Sequence, residues 1–197
     1  MNTLRACFTA AMLVGIGNAC AAPNLLVNEG FESPSIGASS ESDTNPADWT
    51  VFSSITSGEK VGLSAAVNRS GSQSARITSQ GAIESYQGLY QSISASVGTS
   101  YTFSVYVRNG KTNPLKGPAR GQITIEWRDA HDTEIARTWG PDWGVSLFSA
   151  HWVKFDMTAK APPNTARARF VIVQFDGKTG GGGGSFLLDD AMATEQP

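Results

Sequence analysis

Cysteine is almost missing from this chain. Cys7 and Cys20 are the only two in 197 residues, and both lie in the first twenty. The rest of the chain therefore has no disulfide framework, no thiolate metal cage and no cysteine nucleophile. Histidine is nearly as scarce: His131 and His151 are the whole supply, too few for a histidine-built transition-metal centre. Charge of one sign is lacking too. Fifteen Lys and Arg face seventeen Asp and Glu, a formal net charge of −2 with no basic run, which argues against nucleic acid as a partner. After the first residues no apolar stretch is long enough to span a bilayer, so no membrane span is expected. Serine-hydrolase elbows, phosphate loops and dinucleotide fingerprints are also absent. Gly, Ser and Thr are plentiful, Lys, Glu and Leu are few, and almost no segment shows a 3.6-residue period, which disfavours a helical protein.

The first residues read as an export leader. Met1 to Arg5 is a short positive segment, and 6–16 is an apolar stretch too short to span a membrane. Ala19-Cys20-Ala21 supplies small residues for cleavage after Ala21. The rival reading, a lipoprotein anchored through Cys20, is disfavoured by Gly17, which stands where a large aliphatic side chain is expected. The expectation is a signal peptide over 1–21 and one domain over 22–197, a monomer that is secreted or periplasmic. Removing Arg5, the one charge of the leader, takes the net charge from −2 to −3.

What is there is alternation. In 101–108, Tyr101, Phe103, Val105 and Val107 point one way, while Thr102, Ser104, Tyr106 and Arg108 point the other. In 122–129, Ile123, Ile125 and Trp127 alternate with Gln122, Thr124, Glu126 and Arg128. Further strands are expected at 49–53, 60–67, 73–79, 86–95, 151–158, 166–175 and 185–193. Turn signals separate them, among them Asn109-Gly110, Gly140-Pro141 and Ala161-Pro162-Pro163. The long polar stretch 33–46 reads as a loop. The five consecutive glycines 180–184 read as a flexible loop between the last two strands, because only one apolar strand follows them. About nine strands predict an all-β fold, a two-sheet antiparallel jelly-roll sandwich.

The fragments NLLVNEGFE at 24–32 and FLLDDAMA at 186–193 each join apolar residues to carboxylates. If the two ends of the chain pair, Glu32 comes near Asp189, and two hard oxygen donors suit calcium, with Asn28 and Asp190 as lesser ligands. The alternative is a pair of exposed carboxylates at strand ends.

These fragments, with PADWT at 46–50, GSQSARIT at 71–78 and LYQSISASVGTSYTFSVYVR at 89–108, resemble in order and spacing the jelly-roll carbohydrate-binding modules of secreted bacterial glycoside hydrolases and lyases. The likeness is to the family 4/9/16/22-like group of the galactose-binding-like superfold, and it spans nearly all of 22–197. It implies a non-catalytic module that binds polysaccharide or oligosaccharide and carries a structural calcium. Such modules usually sit beside a catalytic domain, and none is found in this chain.

Sugar binding needs aromatic faces for pyranose rings and planar polar groups for hydroxyls. Tyr106, Arg108, Gln122, Glu126 and Arg128 form such a face if their two strands are neighbours; otherwise they line an ordinary solvated sheet. Trp139 and Trp143 flank Gly140-Pro141-Asp142 and either stack on ligand from an aromatic loop or cap the core. Trp127 is assigned to the core, Trp49 to a core or edge anchor, and Trp152 to partial exposure. The rival class is an enzyme: a glycoside hydrolase with a pair such as Glu126 and Asp129, or a polysaccharide lyase using Tyr106, Arg108 and His151. A third class is an extracellular adhesive or matrix protein.

Overall fold

A computed structural model describes residues 22–37, 41–55, 58 and 60–196, and the expected leader lies outside them. Among the described residues eleven strands follow in chain order: β1 (Glu41–Ser42), β2 (Thr50–Ser53), β3 (Lys60–Ser64), β4 (Ser74–Ser79), β5 (Tyr86–Ser94), β6 (Ser100–Asn109), β7 (Arg120–Arg128), β8 (Glu134–Trp143), β9 (Val153–Lys160), β10 (Arg167–Phe175) and β11 (Gly184–Gln196). They form two antiparallel sheets, ordered β1-β3-β4-β11-β6-β9 and β2-β5-β10-β7-β8. The all-β sandwich is as expected.

The alternation that marked β6 and β7 supplies the core. Tyr101, Phe103, Val105 and Val107 from the six-stranded sheet face Ile123, Ile125 and Trp127 from the five-stranded one, all buried. Phe103 meets Phe170 at 5.2 Å between ring centres, and Tyr101 meets Trp127 at 6.0 Å. The Trp127 indole donates to Thr138 Oγ1 at 2.9 Å, so the ring is buried with its polar atom satisfied. Trp49 is buried against Phe31 and donates to Asn28 O at 3.1 Å.

Three expectations change. β6 and β7 are not neighbours but lie in opposite sheets. The segment 140–143 is no loop, because β8 runs through it as the edge strand beside β7. Residues 24–32 form no regular strand, yet they run along β11: Leu25 N donates to Ala193 O at 2.8 Å, and Ala191 N to Glu29 O at 2.9 Å. The second half of the glycine run is closely packed. A Cβ on Gly182 would sit 2.4 Å from Asp176 O, and one on Gly184 would sit 2.1 Å from Pro114 O. Gly182, Gly183 and Gly184 leave no room for a side chain because other backbone passes close to them, whereas Gly180 and Gly181 have open space around them.

Candidate functional site

The outer face of the five-stranded sheet is built in rows set by register. Thr50, Tyr90, Val171, Thr124 and Trp139 are cross-strand partners in one row. Phe52, Gly88, Val173 and Gln122 form the row on one side of it, and Ser92, Arg169, Glu126 and Arg137 the row on the other. The result is a groove of about 580 Å³ with an apolar half and a charged half. Tyr90 and Trp139 stand three strands apart, about 14 Å at the usual strand spacing. Val171 and Thr124 make a low floor between them.

The aromatic half comes from five rings. Phe52 lies 6.4 Å from Tyr86 and 6.1 Å from Tyr90, and Trp139 lies 6.4 Å from Phe175. Gly88 admits Phe52 over the sheet, since a Cβ there would be 2.9 Å from the ring and 2.1 Å from Ile172 O. Trp139 is 53% exposed and Tyr86 45%, an unusual cost for large rings unless something covers them.

In the charged half, Glu126 accepts from Arg137 at 2.6 Å, Arg128 at 3.1 Å and Arg169 at 3.4 Å. Asp132 holds Arg128 at 2.8 Å and Arg169 at 3.0 Å, while Glu134 holds Arg137 at 2.7 Å. Burial pulls the Arg137 guanidinium down, but hydrogen bonding to Glu134 and the Glu126 charge outweigh it and hold it above the ordinary value. Arg169 also lies over the Tyr90 ring at 4.1 Å. Two buried polar atoms that line the groove, Thr124 Oγ1 and Arg169 Nε, have no hydrogen-bond partner among the described residues.

Of the residues expected from sequence, Gln122, Glu126, Arg128 and Trp139 lie on this outer face; all but Gln122 line or flank the groove. Tyr106 and Arg108 do not. They are on β6, on the outside of the other sheet, where the Arg69 guanidinium covers the Tyr106 ring at 3.5 Å and Arg108 Nε donates to Ser149 O at 2.8 Å. Trp143 is not a ligand-facing ring: it is 5% exposed and packs on Phe155 at 4.7 Å and on Phe186 at 5.2 Å. Asp129 accepts backbone N–H bonds from His131 and Thr133 in a turn, and His151 stacks on Phe148 at 4.3 Å. Phe52, Tyr86, Tyr90, Phe175, Arg137 and Arg169 were not singled out from sequence. The signal was there for four of them: Tyr86 and Tyr90 alternate against Leu89, and Arg169 and Phe175 against Phe170 and Ile172.

Glu32 and Asp189 both grip the segment 69–73. Glu32 accepts Ser72 N at 3.0 and 3.1 Å, Ser72 Oγ at 2.6 Å and Gln73 N at 3.3 Å. Asp189 accepts Arg69 N at 2.7 Å, Ser70 N at 3.2 Å and Asp190 N at 2.8 Å. Asp190 pairs with Arg69 and accepts from Ser70 Oγ at 2.6 Å. Asn28 uses its amide on Ser33 and Ala47. Among the described residues no three carboxylate, histidine or cysteine side chains are grouped to share a metal. The Glu32 and Asp189 carboxylates and the Asn28 amide are thus engaged as a hydrogen-bonded clasp in this structure. Burial pushes the Asp189 carboxyl up to about 6 despite its backbone hydrogen bonds.

No protein-family profile matches the chain, and no curated protein matches it in sequence. Solved structures do match in shape. The CBM22-1 xylan-binding domain from Paenibacillus barcinonensis Xyn10C aligns with TM-score 0.55 and 18% identity over 77% of this chain and 87% of that one. TmCBM61, solved in complex with beta-1,4-galactotriose, aligns with TM-score 0.57 and 13% identity over 89% of this chain and all of that one. The enzymatically active domain of bacteriophage CBA120 tailspike protein 4 aligns with TM-score 0.57 and 14% identity over 76% of this chain, which spans only 20% of the tailspike chain. The fold is that of the jelly-roll carbohydrate-binding modules.

Proposed function

We propose that the chain is a carbohydrate-binding protein that takes an oligosaccharide or a polysaccharide segment into the groove on the five-stranded sheet. The observation that carries this reading is the groove's make-up. The rings of Phe52, Tyr86 and Phe175 in the groove and of Trp139 beside it, with Tyr86 and Trp139 exposed, offer faces for pyranose rings, and a ledge of arginines and carboxylates offers donors and acceptors for hydroxyls. Similar folds in the CBM22 xylan-binding domain and the galactotriose-bound CBM61 support it. Binding is the role of the groove, with no catalytic step assigned to it, and the chain acts as an exported monomer once residues 1–21 are removed. Stacking contributes a few kcal/mol per ring, so affinities fall in the micromolar to millimolar range. A glycan array followed by calorimetry on the purified chain tests the reading. Saturable binding that Tyr86→Ala and Trp139→Ala each weaken supports it. Binding untouched by both, or depolymerisation of the bound glycan, overturns it. Intact mass of the exported protein tests removal of the leader, and sedimentation tests the monomer.

A further inference from the structure

We infer that Glu126 sets the charge selectivity of the groove, admitting uncharged sugars and turning away uronates and other acidic glycans. The inference rests on the carbohydrate reading above. Arginine forks beside aromatic rings would ordinarily suit a ligand carboxylate, which they can grip through two parallel hydrogen bonds. Here the forks are already engaged. Glu126 lies on β7 between Arg169 of β10 and Arg137 of β8, its cross-strand partners. It draws on those two and on Arg128 at 2.6–3.4 Å. Asp132 and Glu134 take further N–H groups of the same three arginines. Three cations and three anions thus alternate, and the ledge has no charge left over.

Glu126 is also the anion with the least access to water: its side chain is 10% exposed, against 36% for Glu134 and 52% for Asp132. A ligand carboxylate entering the charged half finds no uncompensated cation and would have to compete with Glu126 for its arginines, leaving one of the two anions desolvated and poorly paired. A sugar hydroxyl both donates and accepts, so it can use the unspent lone pairs of Glu126 and the unspent N–H groups of Arg169 without breaking the network. Rejection of the wrong ligand, rather than stronger attraction of the right one, is the means of selection. Arg167, at the end of the groove, has no ion-pair partner among the described residues, but it is exposed, where a single pair contributes little and salt screens it.

Calorimetry of the whole mature chain with two panels tests this: neutral β-1,4-linked xylo-, gluco- and galacto-oligosaccharides, and oligogalacturonates and oligomannuronates of equal length. The wild type should prefer the neutral panel by about tenfold or more. Its affinity should change by less than about twofold between roughly 20 and 300 mM salt. Glu126→Gln leaves three arginines facing two carboxylates. It should weaken neutral binding and raise uronate binding about tenfold, with strong salt dependence. A wild type that prefers uronates, or a Glu126→Gln protein that folds and gains no uronate affinity, overturns the inference and leaves carbohydrate binding standing. No binding to either panel overturns the carbohydrate reading itself. If Glu126→Gln does not fold, the wild-type preference and its salt series decide.

Discussion

Single residues here carry more than one load, and Asp189 is the plainest case. It is buried, it ties β11 to Arg69 and Ser70, and its carboxyl titrates near 6 instead of near 3.8. A carboxyl whose folded value is raised binds a proton in the native state while the unfolded chain has already lost it. The stability it adds is therefore present at about pH 4 and is lost as pH rises through about 6, a swing on the order of 2–3 kcal/mol. Asp189→Asn should remove that part. Denaturant melts of both proteins from pH 4 to 7 should show the difference drifting in favour of the variant as pH rises, and a constant difference would contradict the assignment. Glu32 gives a second test. With its oxygens on Ser72 and Gln73, treating calcium-exposed protein with a chelator should leave the melting temperature unchanged. Glu32→Ala should lower stability by about 1–2 kcal/mol with or without calcium. A chelator-sensitive melt that Glu32→Ala abolishes would restore the calcium site. The sequence brought Glu32 and Asp189 to one seam; it could not show that backbone N–H groups of 69–73 would occupy them, because main-chain donors leave no mark in side-chain identity.

At the level of elements, β8 explains what the sequence concealed. Trp139 and Trp143 are four residues apart and in a regular strand would share a face. The register slips between Gln122 and Thr124, where Gly140 and Pro141 add one residue on the β8 side. That bulge turns Trp139 outward over the groove and Trp143 into the core. An edge strand tolerates Pro141 because it owes no second neighbour a hydrogen bond. The strand escaped notice because it is exposed for most of its length and lacks alternating apolar residues. β6 and β7, each with one fully apolar face, were legible for the same reason that they hold the core. Trp139→Ala should therefore cut glycan binding about tenfold and leave the melt nearly unchanged. Trp143→Ala should cost about 3–5 kcal/mol of stability, and so should Trp127→Ala. Equal effects of the two β8 tryptophans on both measurements would mean that the bulge is not where the register puts it.

Over the whole molecule, the two sheets separate two kinds of work. The face of the five-stranded sheet carries the groove, while the face of the six-stranded sheet carries the Arg69–Asp190 pair, the Asp189 clasp and Tyr106 beneath Arg69. Sequence periodicity could tell that Tyr106 and Arg108 point away from the core, and it was right. Which sheet a strand joins is a matter of long-range pairing, with β6 beside β11 and β9 rather than beside β7, and alternation is blind to that. The separation has a measurable consequence. Sites with no shared partners on opposite faces of a packed sandwich should act independently, within a few tenths of a kcal/mol. Tyr106→Ala and Arg108→Ala should leave glycan affinity within about twofold of the parent. Phe52→Ala and Tyr86→Ala, which strip the wall of the groove, should each lower it about tenfold. A double variant of Tyr106 and Tyr86 should bind as weakly as Tyr86→Ala alone. Calorimetry on the four single variants and the double checks this, and a loss of affinity in Tyr106→Ala with its melt intact would move the binding site to the other sheet.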